Sequence, residues 1–115
     1  MTFQRARKPE EQQLRREAIL AAAAALFDAE GPQGTGLNAI AAKAGFTKSN
    51  VYRYFESREE VLLSLFLAEL AEVTAAFETR SAALAPGDIA GIAQAITRCF
   101  VDRPRFGILL SMIVA

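Results

Sequence analysis

Residues 35–58 read TGLNAIAAKAGFTKSNVYRYFESR. The stretch divides into two short predicted helices, residues 37–44 and 48–55, joined by a tight turn, and it leads directly into the cap of a third. Gly45 supplies the positive φ that a sharp turn requires. Thr47 is a good N-cap residue for the second helix, and Thr35 or Gly36 stands at the cap of the first. Val51 and Phe55 stand four apart and form a buried face, while Lys48, Ser49, Asn50, Tyr52, Arg53 and Tyr54 occupy the rest of the second helix. A helix of this length buries little and does not stand alone. Its side chains suit contact with something polar and anionic, and DNA is the leading candidate.

Outward from this centre the pattern stays helical. Upstream, a helix over residues 10–29 carries Leu14, Ile19, Ala22, Ala23, Leu26 and Phe27 near one face. Gly31-Pro32 ends it, glycine taking the left-handed stop and proline refusing continuation. Residues 1–9, MTFQRARKP, read as a basic arm ahead of it, able to lie along phosphates or in a minor groove; a solvated terminus is the other reading. Downstream, Ser57-Arg58-Glu59-Glu60 is a capping box. It opens a helix over residues 58–84 with Leu62, Leu65, Phe66, Val73 and Phe77 as the main stripe. Leu63, Leu67 and Leu70 widen its apolar surface, so it is expected to be covered on more than one side. Pro86-Gly87-Asp88 breaks the chain, and a helix over residues 88–102 follows with Ile89, Ile92, Ala93, Ile96 and Phe100 as its stripe. Pro104 suits the first turn of a last helix. The chain stops in an apolar run, residues 108–114, from which a truncated piece or a covering partner chain is expected.

Composition narrows the chemistry. Of 115 residues, 52% are hydrophobic, and strand-like alternation is absent, which points to an all-α protein. There is no histidine and one cysteine, Cys99, so Ser-His-Asp and Cys-His catalysis, His-based metal sites and an internal disulfide are excluded. Glu10-Glu11 and Glu59-Glu60 are adjacent, about 100° apart on a helix, and form no paired acid–base site. An enzyme is not expected, and neither is a cofactor or a metal. The apolar end is too short to span a bilayer and no signal-peptide core is present, so a reducing, cytoplasmic setting without membrane attachment is expected. Net charge is zero, but residues 1–58 hold nine bases against six acids and residues 59–115 four against seven. A basic front and an acidic back suggest a polyanion-facing part on a body with another task.

Helix, turn, helix is a DNA-binding geometry when the second helix carries base- and phosphate-seeking groups. The run GPQGTGLNAIAAKAGFTKSNVYRYFESREEVLLSLF resembles the N-terminal DNA-binding domain of TetR-type transcriptional regulators. The likeness lies in Thr35 five residues before Ile40-Ala41, Ala44-Gly45 at the turn, and Thr47-Lys48 opening the second helix. It continues through Val51-Tyr52, Tyr54-Phe55 and Ser57 to Leu62, and covers about residues 15–66. The resemblance implies a homeodomain-like three-helix domain over residues 10–57, followed over residues 58–115 by the start of a helical body for ligand binding and dimerisation. It implies a homodimer on pseudo-palindromic, double-stranded operator DNA, acting as a repressor that answers to a small-molecule effector held in the body. Ligand binding would move the fourth helix, which would swing the reading head.

Residue by residue, the resemblance places Lys48, Ser49 and Asn50 at base edges or the nearest phosphates, and Tyr52, Arg53 and Tyr54 at bases and backbone. Arg58, where the family usually has lysine, would clamp a phosphate. Thr35, Asn38 and Thr47 would add backbone contacts near helix starts. Gly36 stands where Ser or Thr is common, and Glu56 is expected to point outward. Tyr52 reads equally as a packing ring, Thr47 as a plain helix cap, and Cys99 as structural. The alternative function is a helical protein-interaction module that docks a partner without touching DNA.

Overall fold

The computed structural model describes the backbone of residues 2–114 and the side chains of residues 8–114. Six α-helices follow one another among the described residues: α1 (Thr2–Glu30), α2 (Leu37–Ala44), α3 (Lys48–Tyr52), α4 (Arg58–Ala82), α5 (Ile89–Val101) and α6 (Pro104–Val114). A single 3-10 turn, Pro32–Gly34, joins α1 to α2. The chain forms two compact units, Met1–Leu63 and Ser64–Ala115, and α4 contributes to both.

In the first unit α1 packs on α2, and α2 on α3. The core is Ile19, Ala22, Ala23 and Phe27 of α1, Ile40 and Ala41 of α2, Val51 and Phe55 around α3, and Val61 and Leu62 of α4. Leu14, expected on the inner face, is 65% exposed, because the buried positions of α1 begin only at Ile19. The helix itself begins at Thr2, so the segment read as an arm has helical backbone through Pro9. Gln, Arg, Ala and Lys favour a helix there, and the helix continues past Pro9, which withholds its own backbone N–H. The side chains of Arg5 and Arg7 lie outside the described residues.

The second unit is built on aromatic and ionic contacts. The Phe66 ring of α4 stacks on Phe106 of α6 at 5.8 Å between centroids, and Phe100 tilts against Phe106 at 5.6 Å. Glu69 is buried, and its carboxylate accepts from Arg103 at 2.9 Å and Arg105 at 3.0 Å. Two cations offset the cost of burying that charge. Arg103 also pairs with Glu72 at 3.4 Å, and Asp102 joins Arg80 at 2.9 Å and Arg98 at 3.2 Å. Asp88 caps α5, accepting from the Gly91 N–H at 2.8 Å. The Cys99 thiol donates to the Ala95 carbonyl at 3.3 Å, a packing role.

The α5 stripe lies largely in the open. Ala95 is its buried residue, whereas Ile89, Ile92, Ile96 and Phe100 are exposed. Leu63, Leu67 and Leu70 of α4 are exposed as well. Periodicity reports that a helix has an apolar face; it does not report which layer covers it. No described helix is long and apolar enough to cross a membrane.

Candidate nucleic-acid interface

The turn between α2 and α3 is set by backbone chemistry. Gly45 sits at φ 77°, ψ 25°, in the left-handed region. Its N–H and that of Phe46 turn back onto α2, Gly45 to the Ala42 carbonyl at 3.3 Å and Phe46 to the Ala41 carbonyl at 2.9 Å. This double bond pattern closes the end of a helix and satisfies its last carbonyls. Thr47 then starts α3 in extended conformation, its Oγ1 accepting from the Asn50 N–H at 3.2 Å.

Regular α3 stops at Tyr52, short of the residue 55 expected. The chain tightens there: Arg53 N–H bonds the Asn50 carbonyl and Tyr54 N–H the Val51 carbonyl, both three residues back. Phe55 N–H returns to the Val51 carbonyl at 3.0 Å, four residues back. Val51 and Phe55 are fully buried, as their spacing predicts. The guanidinium of Arg16 lies over the Phe55 ring, 5.0 Å from its centroid. That contact was invisible in the sequence, where the two residues are far apart.

With the anchors inside, the polar set faces out. Asn38, Thr47, Lys48, Ser49, Tyr52 and Arg53 are exposed, and Asn50 and Tyr54 are half-buried. Tyr52 is 49% exposed, with the Lys48 ammonium 5.8 Å from its ring centre. Among the described residues neither Lys48 nor Arg53 is in an ion pair. Glu56 is exposed, in line with its expected outward direction.

Two residues of the set are placed otherwise. Thr35 is fully buried, and its hydroxyl donates to the Pro32 carbonyl at 2.6 Å. That hydroxyl closes the 3-10 turn and is withdrawn from the surface. Arg58 is half-buried, with its guanidinium directed at the same Pro32 carbonyl. The serine cap beside it is formed, the Glu60 N–H donating to Ser57 Oγ at 3.2 Å, and the Glu60 carboxylate reaches back to accept from the Glu56 N–H, one residue ahead of the cap, at 2.7 Å.

Comparison with known proteins meets this geometry. Residues 19–65 match the model for bacterial regulatory proteins of the tetR family. Two curated relatives from Mycobacterium tuberculosis, one from strain CDC 1551 / Oshkosh and one from strain ATCC 25618 / H37Rv, are uncharacterized HTH-type transcriptional regulators. Each is 45% identical over 47 residues, a stretch covering 41% of this chain and 23% of the relative. A crystal structure of a protein assigned to the tetR family of transcription regulators, from Shewanella sp. PV-4, superposes with a TM-score of 0.61 at 25% identity, over 85% of this chain and 53% of that one. The match thus spans less than a quarter of the curated relatives and about half of the solved chain. The turn, the cap and these three likenesses together mark residues 19–65 as a tetR-family N-terminal domain.

Proposed function

We propose that this chain is a sequence-specific DNA-binding transcriptional regulator whose reading surface is the outer side of α3. The observation that carries the reading is a contrast in charge. All four basic residues of the back half, Arg80, Arg98, Arg103 and Arg105, are held by acids of the same unit. Lys48 and Arg53 are exposed and have no ion-pair partner among the described residues, beside Ser49 and the Tyr52 hydroxyl. Cations kept solvated and uncompensated on one helix face are what phosphate binding uses. Lys48, Ser49 and Asn50 stand at the start of α3 for base edges or phosphates. Tyr52, Arg53 and Tyr54 follow for bases and backbone, and Asn38 and Thr47 flank them. A dimer on a pseudo-palindrome, repression, and release by a small-molecule effector held in the helical body belong to the same proposal and rest on the family likeness.

The test is a mobility shift on DNA from upstream of the protein's own gene, at two salt concentrations. Affinity should fall steeply with salt, by a logarithmic slope of about 0.9 per phosphate contacted. Lys48→Ala or Arg53→Ala should weaken binding by about 1–3 kcal/mol where the residue reads a base. A flat salt response would reject the proposal. The exposed face of α5 (Ile89, Ile92, Ile96, Phe100) favours a second reading, a helical docking module. Loss of a protein partner on Ile92 or Ile96 substitution, with no DNA bound by the parent chain, would select it.

A further inference from the structure

The Pro32 carbonyl gathers three donors. The Thr35 N–H reaches it at 3.3 Å, the Thr35 hydroxyl at 2.6 Å, and Arg58 Nη2 comes from the first turn of α4. We propose that Arg58 is a positioning residue, a strap that ties the start of α4 to the turn before α2, and not a ligand of phosphate. The inference rests on the DNA-binding reading for its consequence, though not for its geometry.

Three observations support it. First, both terminal nitrogens of the guanidinium have anionic or carbonyl oxygens beside them: Nη2 has Pro32, and Nη1 lies 3.8 Å from the Glu59 carboxylate. A phosphate arriving there would approach a carbonyl oxygen already bonded to the guanidinium and an exposed carboxylate of its own sign. Second, Arg58 is half-buried at 32% side-chain exposure, whereas Lys48 and Arg53, the cations of α3, are exposed. Third, the bond spans 26 residues, and what lies between its ends is the reading segment itself. Gly36 caps α2, Gly45 turns the chain, and α3 runs on into the Ser57 cap. One side chain therefore closes the segment at both ends.

A closed segment has fewer orientations to lose when it docks, which favours binding without a contact to the ligand. The planar fork of arginine suits this task better than lysine, since it holds a donor on the Pro32 carbonyl in a fixed direction.

The experiment uses the whole chain with Arg58→Gln, folding being checked by circular dichroism. In the free protein, amide exchange at Gly34 and Thr35, whose N–H groups bond Gly31 and Pro32, should speed up about tenfold, while α5 is unchanged. On the upstream DNA, affinity should fall about tenfold with the salt slope kept. A slope reduced by about one marks a lost phosphate contact and overturns the proposal. Unaltered exchange at Gly34 and Thr35 overturns it as well, whatever happens on DNA. If the parent chain binds no DNA, the functional reading fails while the exchange arm still decides the strap. Should Arg58→Gln not fold, Arg58→Lys is measured for the same two quantities. Faster exchange with the slope kept supports the strap, and exchange like the parent chain's refutes it.

Discussion

Gly45→Ala isolates the backbone term of the reading head. Gly45 is at φ 77°, and a methyl group built there meets no atom within 4 Å. Crowding therefore contributes nothing, and the cost is the left-handed conformation alone, about 1–2 kcal/mol for a residue with a Cβ. Alanine also restricts the unfolded chain, which returns roughly 0.4–1 kcal/mol. The net loss is about 1 kcal/mol. Gly36→Ser is the matched comparison. Gly36 has φ −69°, ψ 153°, a conformation open to any residue, and a Cβ there also meets nothing within 4 Å. Serine gains the unfolded-chain term and adds a side-chain cap to a helix that lacks one, a stabilisation of roughly 0.5–1 kcal/mol. In urea, with an m-value near 1–2 kcal/mol per molar, the two midpoints should separate by roughly 1 M in opposite directions from the parent chain. Gly45→Asn should fall between them, because asparagine visits the left-handed region readily. Coincident midpoints for Gly45→Ala and Gly36→Ser would refute the turn geometry on which the placement of α3 depends.

Thr47→Ala should cost about 1 kcal/mol through the lost Oγ1 acceptor, and Thr47→Ser should keep most of it; urea midpoints of the two variants check this. Asp102 tests the second unit by acid titration. The Arg80 hydrogen bond, opposed by partial burial and reinforced by the bond and charge of Arg98, holds its carboxyl below the ordinary value of 3.8. A depressed folded value means the contribution is whole above pH 3.8 and lost as pH falls through the lower folded value. The stability difference between the parent chain and Asp102→Asn, followed by circular dichroism, should be constant at neutral pH and shrink only on that acid limb.

The parts legible in the sequence were those governed by near neighbours. The bounds of α2, the glycine turn, the Thr47 cap, the Ser57 cap, Asp88 ahead of α5 and Pro104 opening α6 all arise from bonds within a few residues. Val51 and Phe55 were legible because a spacing of four brings two side chains to one face. What escaped depends on distance along the chain. Arg58 finds its acceptor 26 residues back, and Arg16 finds the Phe55 ring from another helix. Thr35 has the residue type of a surface contact, yet a carbonyl three residues upstream takes its hydroxyl. The exposed stripe of α5 shows the same limit: pattern names the face, and tertiary packing chooses whether it is used.

Because the buried anchors of this segment are Val51 and, just past α3, Phe55, the exposed positions of α3 are nearly free of stability duties. Exchanges at exposed sites of this kind usually move folding free energy by under about 0.5 kcal/mol. Ser49, Tyr52 and Arg53 can therefore be rewritten without disturbing the scaffold beneath them. A head so arranged lets target preference drift while the architecture stands still, and a designer wishing to retarget it has an alphabet of surface letters to vary on a constant frame.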